Sequence, residues 1–410
     1  MWNDLRFALR LMRRSPGIVA VAVLSLALGV GANTAISSLI YQVAVRSLPV
    51  ADPERLVALE SDDNGVGWSR KDNSASVFSK PMYEALRDRA QAFSGLIARA
   101  GFGATLAYRG PAVDARAEVV SGNYFDVLGV RPALGRLLSP DDDRSSAEPV
   151  IVLSYSYWKN RLGGDAGVLN QRILMNAHPV VVAGVAPPGF LGLLPGSGPD
   201  FFGPLSMIRL VSAGWERDTE VSSYWLNLFG RLKRGVTLQR ADAELLLLFH
   251  SIMEDELPKF PNSDPQTRKR MLGRPLRVTP AAQGLNELRR QWQAPLLVLL
   301  AMTGVVLLIA CANIANLLLA KGAARQREMA VRLAVGATRL HVVRQLLIES
   351  TVLALIGGLL GTMVSPYAMK GLLTLLPADA TGGWVAASLD LRILGYALIV
   401  SLATGIAFGL

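Results

Sequence analysis

One cysteine, Cys311, occurs in the 410 residues, so no disulfide can form within the chain. Any exported part must hold together by packing, which suits a bacterial membrane protein better than an animal cell-surface protein. Histidine is almost as scarce. His178, His250 and His341 lie far apart, without metal-ligand spacing. No G-x-x-x-x-G-K-[ST] phosphate loop is present, so these residues offer no motif for binding and hydrolysing ATP unaided. The glycine-rich pieces GVGANT, GFGATL and PGSGPD do not make a dinucleotide fingerprint, and neither G-x-S-x-G nor H-E-x-x-H occurs. No catalytic residue, cofactor site or metal site is therefore expected. Asp141, Asp142 and Asp143 could begin a calcium-binding run, but no ordered ligands follow, and a solvated acidic turn is expected.

Acidic residues are also missing from particular places. The chain carries 42 Lys+Arg against 32 Asp+Glu, a net charge of +10. Residues 46–293 are nearly balanced, 30 against 27, and the remainder holds 12 against 5. Ten of those 12 cations fall in residues 1–16 and 321–350, beside uncharged apolar runs. That is the positive-inside pattern of a membrane protein, and it argues against nucleic acid as a partner. A mean hydropathy of +0.33 agrees with several spans.

The expected order is as follows. Residues 1–15 form an amphipathic interfacial helix, with Trp2, Leu5, Leu9 and Met12 at helical spacing; the charged start of a signal peptide is the alternative. Residues 16–45 form a first transmembrane helix, since about 20 apolar residues suffice to cross a bilayer. Its glycine, alanine and serine permit close packing, and Asn33 and Thr34 are expected to hydrogen-bond between helices. Residues 46–290 form a mixed α/β domain. Strands are expected at 56–60, 115–120, 150–153, 172–175, 180–185 and 225–232, and helices at 80–90, 154–162 and 238–257. Residues 195–204 read as a loop, 259–274 as a mobile polar connector, and His178 as part of a turn. Spans are expected at 291–320, 350–376 and 391–410, with a short outer loop at 377–390. Gly357, Gly358 and Gly361 give the third span a close-packing face. The last run stops without a cytoplasmic flank, so a truncated chain, or one half of a longer protein, is expected.

Residues 321–350, KGAARQREMAVRLAVGATRLHVVRQLLIES, separate the second and third spans. Two short helices are expected, with Gly336 at the end of one and Thr338 capping the next. Glu328 precedes Arg332 by four residues, the favourable order for an ion pair, and Arg325 shares their face. Met329 and Leu333 form an apolar patch beside them. Composition alone permits either a basic loop that only fixes orientation or a docking surface for a cytoplasmic partner.

Several stretches resemble the MacB/FtsX-type ABC transporter permeases, in particular the acidobacterial-type duplicated orphan permeases. They are MWNDLRFALRLMRRSPGIVAVAVLSLALGVGANTAI, VSGNYFDVLGVRPALGRLLSPDDD, VIVLSYSYWKNRLGG, VVVAGVAPPGFLGL, LNLFGRLKRGVT and LLIACANIANLLLAKGAARQREMAVRLAVGATRLHVVRQLLIES. Their order and spacing agree along essentially the whole chain. One departure is the segment AGVLNQRILMNAHP, where the family has glycines around a strand pair.

The resemblance implies an α-helical membrane protein with four transmembrane helices. A large mixed α/β periplasmic domain, the MacB-like core domain, is inserted between the first and second. It implies a bacterial inner-membrane location, in which the positive-inside pattern puts the N-terminus and residues 321–350 on the cytoplasmic side and residues 46–290 and 377–390 outside. It implies a cytoplasmic ABC ATPase as partner, with a second four-helix half or a homodimer, membrane lipid around the spans, and a periplasmic substrate or adaptor protein. It also places an ATPase-coupling helix on 325–335, carrying Arg325, Glu328, Met329, Arg332 and Leu333, followed by the turn Gly336, Ala337 and Thr338. The expected function is a permease subunit that transmits ATP-driven motion to the periplasmic domain, for export of an antibiotic, peptide or lipoprotein. The alternative is a non-transporting FtsX-like signal transducer. A membrane-bound enzyme is disfavoured by the missing catalytic motifs.

Overall fold

In the computed structural model, the described residues are 16–41, 47–61, 68–70, 77–194, 198–212, 214–260, 264–284, 294–309 and 339–375, with isolated positions at 312, 316, 395, 397–399 and 402–403. The chain divides into two compact units. One comprises Met1–Val45 with Arg290–Leu410, and the other is Arg46–Arg289.

In the first unit, helix α1 (Pro16–Ile40) starts on a proline, which is favoured in a first turn. The second unit begins with β1 (Leu56–Ser61), β2 (Trp68–Ser69), α2 (Lys80–Arg89), β3 (Phe93–Ala107) and β4 (Val113–Val120). There follow α3 (Tyr124–Leu128), β5 (Leu134–Gly135), β6 (Val150–Leu153), α4 (Tyr155–Arg161), β7 (Arg172–Met175) and β8 (His178–Val185). It closes with β9 (Phe201–Pro204), α5 (Ile208–Val211), β10 (Ser223–Tyr224), β11 (Asn227–Leu232), α6 (Leu238–Glu256), α7 (Pro265–Leu272) and β12 (Leu276–Pro280). Back in the first unit stand the apolar helix α8 (Ala294–Ile309) and the long α9 (Arg339–Leu375).

Among the described residues ten of the twelve strands form one sheet in the order β12-β1-β11-β3-β4-β9-β6-β8-β5, with β7 pairing β3 and β8, and β2 and β10 form a separate two-stranded sheet. Most pairs are antiparallel. β4–β9, β6–β8 and β2–β10 are parallel. Serine and threonine caps start the helices: Ser79 accepts from Met82 N, Ser154 from Tyr157 N and Thr237 from Arg240 N. α6 turns Ala241, Leu245, Phe249, Ile252 and Met253 inward at helical spacing. Phe78, Leu226 and Phe249 belong to one continuous core with the strand residues.

Four local expectations change. The connector at 259–274 contains α7, started by Asp264 as cap and Pro265 in the first turn, with Met271 and Arg274 buried behind it. The end of the 195–204 loop is β9, whose Phe201 and Phe202 are fully buried between β4 and β6. His178 is exposed, but it opens β8 and pairs with Met175; the turn itself is Asn176-Ala177. Both turn residues have positive φ, 47° and 66°, as a two-residue hairpin of this hand requires. The hairpin therefore forms where AGVLNQRILMNAHP departs from the family pattern.

The fourth change concerns the acidic run, of which only Asp141 is a solvated residue. Asp142 is buried and accepts from Arg136 at 2.7 and 2.8 Å and from Ser139 N and Oγ. Burial alone would raise its carboxyl, but Arg136 and Ser139 outweigh that and hold it low. Asp143 accepts from Gly122 N at 3.2 Å and Ser206 N at 2.9 Å, tying two loops together. There burial wins, and its pKa is raised.

Candidate functional site

Two described helices are long and apolar enough to cross a membrane, Val19–Ile40 within α1 and Ser350–Gly371 within α9. They are packed against each other through small residues. A Cβ on Gly31 would lie 2.9 Å from Gly361 O, and one on Gly361 would lie 2.8 Å from Ala27 O. Hydrogen in place of a side chain lets the two backbones touch, which maximises dispersion where lipid offers no hydrophobic drive. Gly357 does the same against Leu26, where a Cβ would approach to 2.5 Å. Ala22, Leu26, Val30, Leu307 and Ala354 continue the seam into a buried cluster that includes α8. Asn33 Oδ1 accepts from Ser37 Oγ at 3.4 Å within α1 itself.

α9 is described over Arg339–Leu375, 37 residues with Pro366 inside the helix. At 1.5 Å per residue that is about 55 Å, well beyond the ~30 Å hydrocarbon thickness. The helix therefore joins a polar first part, with Arg339, His341, Arg344 and Glu349, to an apolar second part without interruption. The coupling residues expected before it, Arg325, Glu328, Met329, Arg332, Leu333, Gly336, Ala337 and Thr338, lie outside the described residues. So does Cys311.

The sheet unit holds its strands together through a buried polar network. Arg99 on β3 meets Glu118 on β4 at 3.2 Å, with both side chains 2% exposed. Arg99 also donates to Asn227 Oδ1 on β11 at 2.9 Å, and Tyr124 OH donates to Glu118 at 3.1 Å. Burial and the Glu118 charge push the Tyr124 hydroxyl far up, so it stays a neutral donor. Removing one member would strand a buried charge, at a cost of about 3–5 kcal/mol. This network cross-links four elements, and its groups are enclosed.

Two clefts open on the same unit. One, of about 640 Å³, is lined by Gly103, Asp114, Arg116, Arg161 and Asp200 among others. Its two cations and two carboxylates balance, and Arg116 already faces Asp200 at 3.7 Å. The other, of about 400 Å³, lies where β1 starts and β11 turns into α6. Val57, Leu232, Val236, Leu238 and Pro280 line it with Arg55, Lys233, Arg234 and Glu54. The sequence marked LKRGVT only as a likeness to a family. Its meaning as a cleft wall depends on Pro280 and Val57, which are distant in the chain. Among the described residues no three of His, Cys, Asp and Glu converge as a metal site.

Residues 19–247 match the family model of the MacB-like periplasmic core domain, and residues 300–410 match that of the FtsX-like permease C-terminal region. The macrolide export ATP-binding/permease protein MacB of Salmonella typhi is 27% identical over 297 residues, covering 72% of this chain and 40% of that protein. The protein of the same name from Aggregatibacter actinomycetemcomitans is 25% identical over 248 residues, 60% of this chain and 34% of that one. The chain thus spans well under half the length of these relatives. Among solved structures, the periplasmic region of MacB from Actinobacillus actinomycetemcomitans aligns at 17% identity and TM-score 0.38, covering 53% of this chain and 88% of that one. The extracellular domain of the noncanonic ABC-type transporter YknZ from Gram-positive bacteria aligns at 14% identity and TM-score 0.36, over 48% and 95%. With an apolar helix, a MacB-like core domain and an FtsX-like region following one another in a single chain, the protein belongs to the MacB/FtsX-type ABC transporter permeases.

Proposed function

We propose that this permease transmits ATP-driven motion from a separate cytoplasmic ABC ATPase to its sheet domain, residues 46–290, on the periplasmic side of the bacterial inner membrane. The supporting observation is α9, one continuous helix over Arg339–Leu375 with Pro366 inside it, which lies backbone to backbone with α1. A rod that spans the bilayer, gripped along a glycine seam, moves as one body with its neighbour. α1 in turn leads by a short link into the sheet domain, so a push delivered near Arg325–Thr338 has a covalent and packed route outward. These 410 residues carry no phosphate loop, which supports placing hydrolysis in a partner.

The remaining parts of this reading are four spans with a cytoplasmic N-terminus, a second permease half or a second copy, and export of an antibiotic, peptide or lipoprotein handed to an adaptor. The relatives' printed name, macrolide export, supports the export direction. The test is co-purification of the full chain with its ATPase from the native host. Charge reversal at Arg325 and Arg332 should abolish co-purification and the transport-stimulated part of ATP hydrolysis. Unchanged association and hydrolysis would remove this segment as the coupling point.

A further inference from the structure

We propose that the cleft between β1 and the β11–α6 turn is a binding site for the phosphate headgroup of an anionic phospholipid. The cleft is amphipathic. Val57, Leu232, Val236, Leu238 and Pro280 supply apolar lining, and Arg55, Lys233 and Arg234 supply three cations against Glu54 in the lining and Asp52, which pairs with Arg55. The larger cleft offers the contrast: its two cations face two carboxylates, and an anion gains little there.

The cations of the amphipathic cleft differ in kind. Arg55 is fixed as a wall, donating to Leu232 O at 3.0 Å through Nε and to Asp52 Oδ2 at 2.9 Å. Lys233 and Arg234 are exposed, and among the described residues neither side chain makes an ion pair. They immediately precede Gly235, whose φ of 80° is a left-handed turn leading into α6. Two available cations beside an apolar floor match a ligand that is anionic at one end and hydrocarbon at the other.

The mixed lining of the cleft selects lipid over a free anion. Val57 pairs with Pro280, and Leu48 N donates to Ala282 O at 2.8 Å, so the entering and leaving strands meet beside it. A free phosphate would use the cations and leave the apolar lining unused. A phospholipid uses both.

The experiment uses the full chain in mixed micelles containing a photoreactive phosphatidylglycerol, with the adduct mapped by peptide mass spectrometry. Adducts are expected on peptides holding 54–57 and 232–238. Unlabelled phosphatidylglycerol should displace the probe, and phosphatidylcholine should do so poorly. The double substitution Lys233→Glu/Arg234→Glu should lower labelling by about fivefold for each cation removed. Arg161→Glu, in the other cleft, should leave labelling unchanged. A milder pair, Lys233→Gln/Arg234→Gln, read beside the melting temperature, separates loss of binding from loss of fold. Labelling that maps elsewhere, or survives both double substitutions, overturns the proposal. Displacement by millimolar inorganic phosphate as effective as by phosphatidylglycerol also overturns it, and makes the cleft a free-anion site. No ATPase takes part, so the outcome is independent of the coupling mechanism.

Discussion

Glu256 stands at the last turn of α6 with only 4% of its surface exposed, and its Oε2 has no hydrogen-bond donor among the described residues. Burial pushes its carboxyl up to about 7, Lys259 and Arg274 restrain the rise, and Asp255 adds to it. Because the folded pKa exceeds the unfolded value of 4.5, the folded state holds the proton more tightly. The stabilisation is complete below about 4.5 and is lost as pH climbs to about 7. Over that window the group contributes a decline of about 3 kcal/mol. Glu256→Gln should flatten this slope, as measured by urea unfolding between pH 4.5 and 8. An unchanged slope in the variant would assign the pH dependence to other groups. At a second residue, Ala177 holds φ of 66° in the β7–β8 turn, a conformation that burdens any residue with a Cβ. Ala177→Gly should stabilise the domain by up to about 1 kcal/mol, visible as a small rise in melting temperature, and a fall would mean that unfolded-chain entropy dominates. Neither residue stands out in the sequence. Glu256 reads as one more acid in the polar stretch EDE, and Ala177 as an ordinary alanine, because burial and φ are set by the neighbours that folding brings.

At the scale of elements, the α1–α9 seam makes the sharpest prediction. Gly361→Ala would put a methyl group 2.8 Å from Ala27 O, forcing the helices apart at a cost of about 1–3 kcal/mol. Gly371→Ala, on the same helix with open space around it, should be neutral or stabilising by helix propensity. Thermal unfolding of the two variants in detergent compares them directly, and equal effects would dissolve the seam as a packing contact. The glycines of this seam were legible beforehand as close-packing positions, since apolar helices place small residues where they touch. Their pairing across 330 positions of chain was not. β3 shows the opposite failure. Its FSGLIARAGFGATLA contains three glycines and an arginine, a composition that argues against a strand, yet it is a fifteen-residue strand with partners on both sides. Gly95 is required because a Cβ there would come within 2.5 Å of Val127 on α3, and Arg99 is held by Glu118 and Asn227. Local composition opposed the strand; long-range pairing decided it.

For the whole molecule, the separation into Arg46–Arg289 and the two flanking pieces has a physical consequence. The ends of the sheet domain meet through Leu48 and Ala282, and among the described residues its core cluster is drawn from this unit. Residues 47–284 expressed alone should therefore be soluble and unfold in one cooperative transition. Aggregation, or a melt without cooperativity, would show that the apolar unit is needed for the fold.

The sequence by itself determined the order of apolar runs and folded domain and the family. It also determined most strands and helices outside β3, β9, α7 and β12. These follow from hydrophobic period, capping residues and charge placement, which are local properties of neighbouring residues. Only the tertiary structure decided which strands became neighbours, that Asp142 and Asp143 serve as a clasp, that Gly31 meets Gly361, and that Lys233 and Arg234 rim an apolar cleft completed by Val57 and Pro280. Each of those depends on contacts between residues far apart in the chain, and no local pattern encodes which distant partner will arrive.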